Sequence, residues 1–150
     1  MEANLLYPSK CILAEGPLWH PDRKSCFWVD IESGVLYEYA WQSKSVKTWS
    51  FDYKIGMVIQ ARGNGLILAL NRSIARFDLQ TEKLDWLVDL ESRLPNNRCN
   101  DGACDSKGRI WTGTMNMDSK EGSGALYSIE KNLKPRKHVG NISISNGLGW

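Results

Sequence analysis

The sequence predicts an all-β fold, a β-propeller of which this chain supplies about three blades. Three observations lead there. The apolar runs are short, rich in aromatic and β-branched residues, and bounded by Gly, Asn, Asp or Ser, as strands and their turns are. A pattern recurs in "HPDRKSCFWVDIESGVLYEY" (20–39), "ARGNGLILALNRSIARFD" (61–78) and "DSKGRIWTGTM" through "GALYSIE" (105–130): polar turn, apolar strand, polar turn or insertion, second strand. Its turn anchors Ser25, Gly65 and Gly108 lie 40 and 43 residues apart, and "GPLW" (16–19) is echoed by "GLGW" (147–150). A period of roughly 40 to 50 residues with about four short strands per unit marks a propeller blade.

In the first unit a Gly16-Pro17 turn leads into Leu18 and Trp19, and Phe27 to Val29, Val35 to Trp41 and Val46 to Phe51 read as strands. In the second, Met57 to Ala61, Leu66 to Leu70 and Ile74 to Leu79 do so. The next segment is ambiguous locally: Leu84, Leu87, Val88 and Leu94 fit helical spacing, whereas Leu84, Trp86, Val88 and Leu90 alternate as in a strand. The repeat makes Leu84 to Leu90 the outer strand of the second blade. Arg109 to Thr114 and Ala125 to Ile129 belong to the third. The expected organisation is one domain with blades at roughly 12–56, 57–99 and 100–145, and a further blade starting at 146.

Propellers close with roughly 4 to 8 blades, because an open arc leaves its end faces unpacked. The expectation is therefore a piece of a longer protein, the alternative being a half-ring that pairs with a second chain. Lys and Arg number 19 against 17 Asp and Glu, with the signs interspersed, which gives no pull toward nucleic acid or an anionic membrane. No apolar stretch approaches about 18 residues, and the start lacks a secretory pattern, so the location is read as cytoplasmic. Cys11, Cys26, Cys99 and Cys104 match neither a zinc-site spacing nor a CxxC pair and read as reduced, buried thiols. Trp19, Trp28 and Trp111 read as packing between blades, and His20 and His138 as surface residues rather than catalysts. No Ser-His-Asp set can be assembled.

Residues at the start of each innermost strand converge on one end of a propeller's axis. Glu15, Asn100 in "NRCNDGACD" and Asn146 in "SNGLGW" hold that position. A carboxylate and amide carbonyls are hard oxygen donors, suited to Ca²⁺, Mg²⁺ or Mn²⁺. The same residues are also ordinary turn formers and a solvated charge, so spacing alone leaves both readings open.

Four separated segments, "AEGPLWHP", "NRCNDGACDSKGRIWTGTM", "GALYSI" and "SNGLGW", resemble in this order the regucalcin (senescence marker protein) and gluconolactonase family, over about Ile12 to Trp150. The resemblance implies a six-bladed propeller around one divalent metal ion (Ca, Zn, Mg or Mn), of which this chain is the N-terminal half. It implies that Glu15 and Asn146 bind the metal, that Arg98 and Asn100 line the substrate pocket, and that Asp118 contacts substrate hydroxyls. Glu121 in the same loop competes for that last role. Asp101 and Gly102 are expected to shape the loop. The family's remaining metal ligand, an Asp that is also the favoured general base, is expected beyond Trp150, so no catalytic base lies within this chain. The implied activity is hydrolysis of a sugar lactone, with the metal polarising the carbonyl and activating water, Arg98 orienting the substrate and Asn100 stabilising the oxyanion or orienting the water. A non-catalytic calcium-binding or interaction propeller, and a related metal-dependent esterase or organophosphate hydrolase, are the alternatives. The partners implied are a small sugar lactone and the missing half of the propeller, in the same protein or a second chain.

Overall fold

Period-two alternation over short segments builds three antiparallel sheets of four strands each. The computed structural model describes residues 2–150, and no helix occurs among them. The first sheet contains β1 (Ala14–His20), β2 (Ser25–Asp30), β3 (Val35–Ala40) and β4 (Val46–Ser50). The second contains β5 (Ile55–Gln60), β6 (Gly65–Leu70), β7 (Ser73–Asp78) and β8 (Leu84–Asp89). The third contains β9 (Asn97–Cys104), β10 (Ile110–Asn116), β11 (Gly124–Ile129) and β12 (Pro135–Ile142). Within each sheet the strands pair in chain order, and the inner strand β5 lies against both β1 and β9. These are three propeller blades in succession. The ambiguous Leu84 segment is the outer strand of the second, with Leu84 opposite Phe77 and Val88 opposite Ile74.

The middle blade is buried on both faces, and its alternation shows how one strand serves two cores. Leu66, Leu68 and Leu70 of β6, with Ala75 and Phe77 of β7, join Phe27, Val29 and Leu36 of the first blade. The intervening Ala69 and Ile74, with Met57, pack on Cys99 and Ile129 of the third. Full burial of each large apolar side chain is worth roughly 1.5–3 kcal/mol, so these two layers hold the blades together.

The end blades show their outer faces. Trp28 stacks on Tyr37 with ring centroids 4.9 Å apart, and Trp111 packs against His138 and Trp150. Trp19 is 50% exposed. None of the three tryptophans lies between the blades described, because β1, β2 and β10 turn these positions away from the middle blade. The thiols also differ from the expectation: Cys99 is buried, Cys11 and Cys26 are half-buried and Cys104 is exposed, with all four free. His20 is corrected most sharply, being 1% exposed and packed on Phe27 with both ring nitrogens unpartnered among the described residues. Its His-Pro-Asp context suggests a turn, but pairing with Ser25 makes it the last residue of β1, facing inward. His138 lies on β12, where its ring meets the Ser128 hydroxyl.

Candidate active site at the axial end of the inner strands

Each inner strand carries a bulge near its start. Between Glu15 and Leu18, Gly16 and Pro17 face only Trp28 of β2. Gly56 is extra between Ile55 and Met57. Asn100 and Asp101 together oppose Gly113 alone. An extra residue bends the strand and re-aims its side chains, and here three such bends share one level of the axis. Glycine permits two of them: Gly16 has φ +61°, and a Cβ on Gly56 would sit 2.3 Å from the Cys99 carbonyl oxygen.

The bulges bring Glu15, Asn100 and Asn146 to one place. A small recess of about 10 Å³, room for a single water or ion, is lined by Glu15, Gly56, Asn100, Asp101 and Asn146. It adjoins an open groove of about 610 Å³ bordered by Glu15, Leu18, Ile59, Asp101, Asn146 and Leu148. Two bonds from β9 hold the segment that carries Asn146. Asn100 Nδ2 donates to the Ser145 carbonyl at 2.9 Å, and Asp101 Oδ2 accepts the Leu148 N–H at 2.7 Å. Gly113 makes room for that crossing, because a Cβ there would meet Ser145 Oγ at 1.8 Å.

Arg98 is 5% exposed, and its Nη1 donates to Asn100 Oδ1 at 2.7 Å and to the Cys99 carbonyl at 3.0 Å. Burial lowers its pKa, opposed by the charges of Glu32 and Glu15, and a guanidinium remains cationic at neutral pH. No hydrogen bond from Nε or Nη2 is found among the described residues, so that edge of the fork is available to a ligand. Asn100 is committed at both ends of its amide, which fixes the Arg98 pose.

The donor set fits a hard divalent ion in kind. Glu15 accepts no hydrogen bond and pairs with no cation among the described residues, and Asn146 Oδ1 accepts only the Gly147 N–H. The set is short in number: no cluster of three His, Cys, Asp or Glu side chains able to hold a metal occurs among the described residues. Asp101 lines the recess, but backbone N–H groups of Gly102 and Leu148 occupy both its oxygens.

Asp118 lies apart from the groove, on the exposed turn after β10, where it accepts from Asn96 Nδ2 at 2.9 Å. The pairing of Arg98 with Met115 and of Asn97 with Asn116 brings that turn to the same end of the blade as Arg98. Glu121 is exposed on the same loop. Reasoning from sequence missed Glu32, whose charge bears on Arg98 and whose carboxylate pairs with Lys54, and Gly56, whose bulge closes the recess floor. An isolated Gly inside an apolar strand was the available signal for the second.

Residues 13–150 match the family described as the SMP-30/Gluconolactonase/LRE-like region. An uncharacterized protein of Sulfolobus acidocaldarius is 33% identical over 97% of this chain and 51% of its own length. A Bacillus subtilis protein proposed to be a sugar lactone lactonase, YvrE, is 26% identical over all of this chain and 51% of its own. The crystal structure of the calcium-binding protein regucalcin of Agrobacterium tumefaciens superposes with a TM-score of 0.88 at 27% identity, covering 93% of this chain and 47% of that one. The chain thus spans about half the length of the curated relatives it matches, and its three blades are about half of a six-bladed ring.

Proposed function

Because the chain belongs to the SMP-30/Gluconolactonase/LRE-like family, we propose that it is part of a hydrolase that opens sugar lactones at a divalent-metal site on the propeller axis. The observation that carries this reading is the recess where Glu15 and Asn146 meet beside the buried Arg98. Glu15 and Asn146 would hold the ion, which when bound supplies Lewis acidity toward a carbonyl oxygen.

The chain's own residues then have distinct tasks. Arg98 offers its free Nε and Nη2 edge to the ring oxygen or hydroxyls of the sugar in one orientation, which a flexible Lys could not fix. Asn100 holds that guanidinium through Oδ1 and ties down the Asn146 segment through Nδ2. Hydrolysis adds a water oxygen to the acyl carbon, breaks the ring C–O bond and releases a hydroxy acid. The water's proton goes to a base, for which an Asp beyond Trp150 is the proposed acceptor, and that base returns it to the departing ring oxygen, which becomes the new hydroxyl. Asp118 is proposed to reach substrate hydroxyls from the rim of the same end.

The test uses the full-length protein. Calcium and zinc binding is measured by calorimetry, and opening of gluconolactone is followed in a pH-stat against the spontaneous rate. Glu15→Gln is expected to weaken ion binding and lower metal-dependent turnover together; unchanged values for both would refute the site. The description of the regucalcin relative as calcium-binding favours a second reading, a non-catalytic calcium-binding propeller. Ion binding with a thermal shift, but no turnover of any lactone in a panel, would select it.

A further inference from the structure

Glu91 lies in the crossover from β8 to β9, 6% exposed, and no cation pairs with it among the described residues. Neutral donors satisfy it instead. Oε1 accepts from Thr114 Oγ1 at 3.1 Å and Tyr127 OH at 2.9 Å, and Oε2 accepts from Asn97 Nδ2 at 2.9 Å. The chain of bonds continues: Asn97 Oδ1 accepts from Asn116 Nδ2 at 3.0 Å, and Asn116 Oδ1 accepts the Asp118 N–H at 3.0 Å. Burial and this carboxylate raise the Tyr127 pKa, keeping the phenol a donor.

An ionised carboxylate can only accept, so it dictates which way every amide in the chain faces. Asn97 must turn its NH₂ to Glu91 and therefore its oxygen to Asn116, which then turns its own oxygen to the backbone of Asp118. The two ends of this relay are places of functional interest. Asn97 precedes Arg98 in β9, and Asn116 begins the turn that carries Asp118.

We propose that Glu91 is a positioning residue that, through Asn97 and Asn116, holds Arg98 and the Asp118 turn in one arrangement for substrate. This rests on the lactonase reading above. An alanine at the same position removes both acceptor oxygens: Asn97 keeps only the Ser123 carbonyl it donates to at 2.8 Å, its oxygen is no longer held toward Asn116, and Asn116 no longer holds its own oxygen against the Asp118 N–H.

The experiment compares full-length protein with Glu91→Ala, keeping only preparations whose circular dichroism is unchanged. Hydrogen exchange at the Asp118 amide is expected to quicken about tenfold, the size of one lost hydrogen bond. The KM for gluconolactone is expected to rise about tenfold with kcat within about threefold, because uniform substrate binding is lost. Calcium affinity, set by Glu15 and Asn146, is expected to stay the same. If Glu91→Ala does not fold, Asn116→Ala, which leaves the three bonds to Glu91 in place, is expected to give the same exchange and KM changes. Unaltered exchange at Asp118, or an unaltered KM beside altered exchange, overturns the positioning role. Absence of lactone turnover in the unmodified protein refutes instead the parent reading, and exchange at Asp118 still tests the relay.

Discussion

Replacing Gly56 by Ala tests the close approach of β5 to β9. A methyl there would lie 2.3 Å from the Cys99 carbonyl oxygen and 2.7 Å from that of Asn100, where ordinary contact begins at 3.4 Å. Both obstacles are backbone, so no rotamer change relieves them, and β5 and β9 must part by about 1 Å at the recess. Overpacking of this kind costs about 1–3 kcal/mol. Against it stands about 0.4–1 kcal/mol gained by restricting the unfolded chain, since the φ of Gly56 is not in the positive range. The clash wins in most of that range. At about 2–4 °C per kcal/mol for a domain of this size or larger, the melting midpoint should fall by several degrees. The assay is thermal unfolding by circular dichroism, with the unmodified protein as reference. Equal midpoints for the two would refute the claim that the inner strands touch at the bulge.

Three further outcomes are expected. Burial works to raise the Asp105 pKa, but hydrogen bonds from Trp111 Nε1, Arg109 and the Lys107 N–H outweigh it and hold the carboxyl well below its ordinary 3.8. The folded pKa being the lower, its stabilisation is present above the ordinary value and lost as pH falls below it; urea titrations across that acid range should show a weaker pH dependence in Asp105→Asn. His20→Leu removes two buried nitrogens that find no partner among the described residues and should leave stability unchanged or raise it by about 1 kcal/mol, whereas a marked loss in urea unfolding would reveal a partner for the ring. Added calcium at about 100 times its dissociation constant should stabilise the full-length protein by about 2.7 kcal/mol, and Glu15→Gln should abolish the shift in a thermal scan.

Much of the fold can be read in the chain because strand alternation and turn chemistry are local. Leu66, Leu68 and Leu70 announce a buried strand without reference to anything else, and the recurrence of the unit assigned Leu84 to Leu90 where local periodicity was undecided. Strand β9 is harder, since "NRCNDGAC" carries turn residues within a strand, and only a bulge at Asn100-Asp101 reconciles the two. Glu91 was invisible for another reason. A lone acid in a polar crossover looks solvated, and its burial follows from Thr114 and Tyr127, which are distant in sequence.

By itself the sequence determined the blade unit and its repetition, because periodicity is a property of neighbouring residues; it offered Glu15, Asn100 and Asn146 by their place at the strand starts, and Arg98 only through the resemblance to the family. Only the tertiary structure decided that three bulges stand at one level of the axis, that Arg98 is buried with no bond from its Nε and Nη2 edge among the described residues, and that His20 points inward. These depend on how separate blades lean on one another, a matter of packing between surfaces that no local stretch of chain encodes.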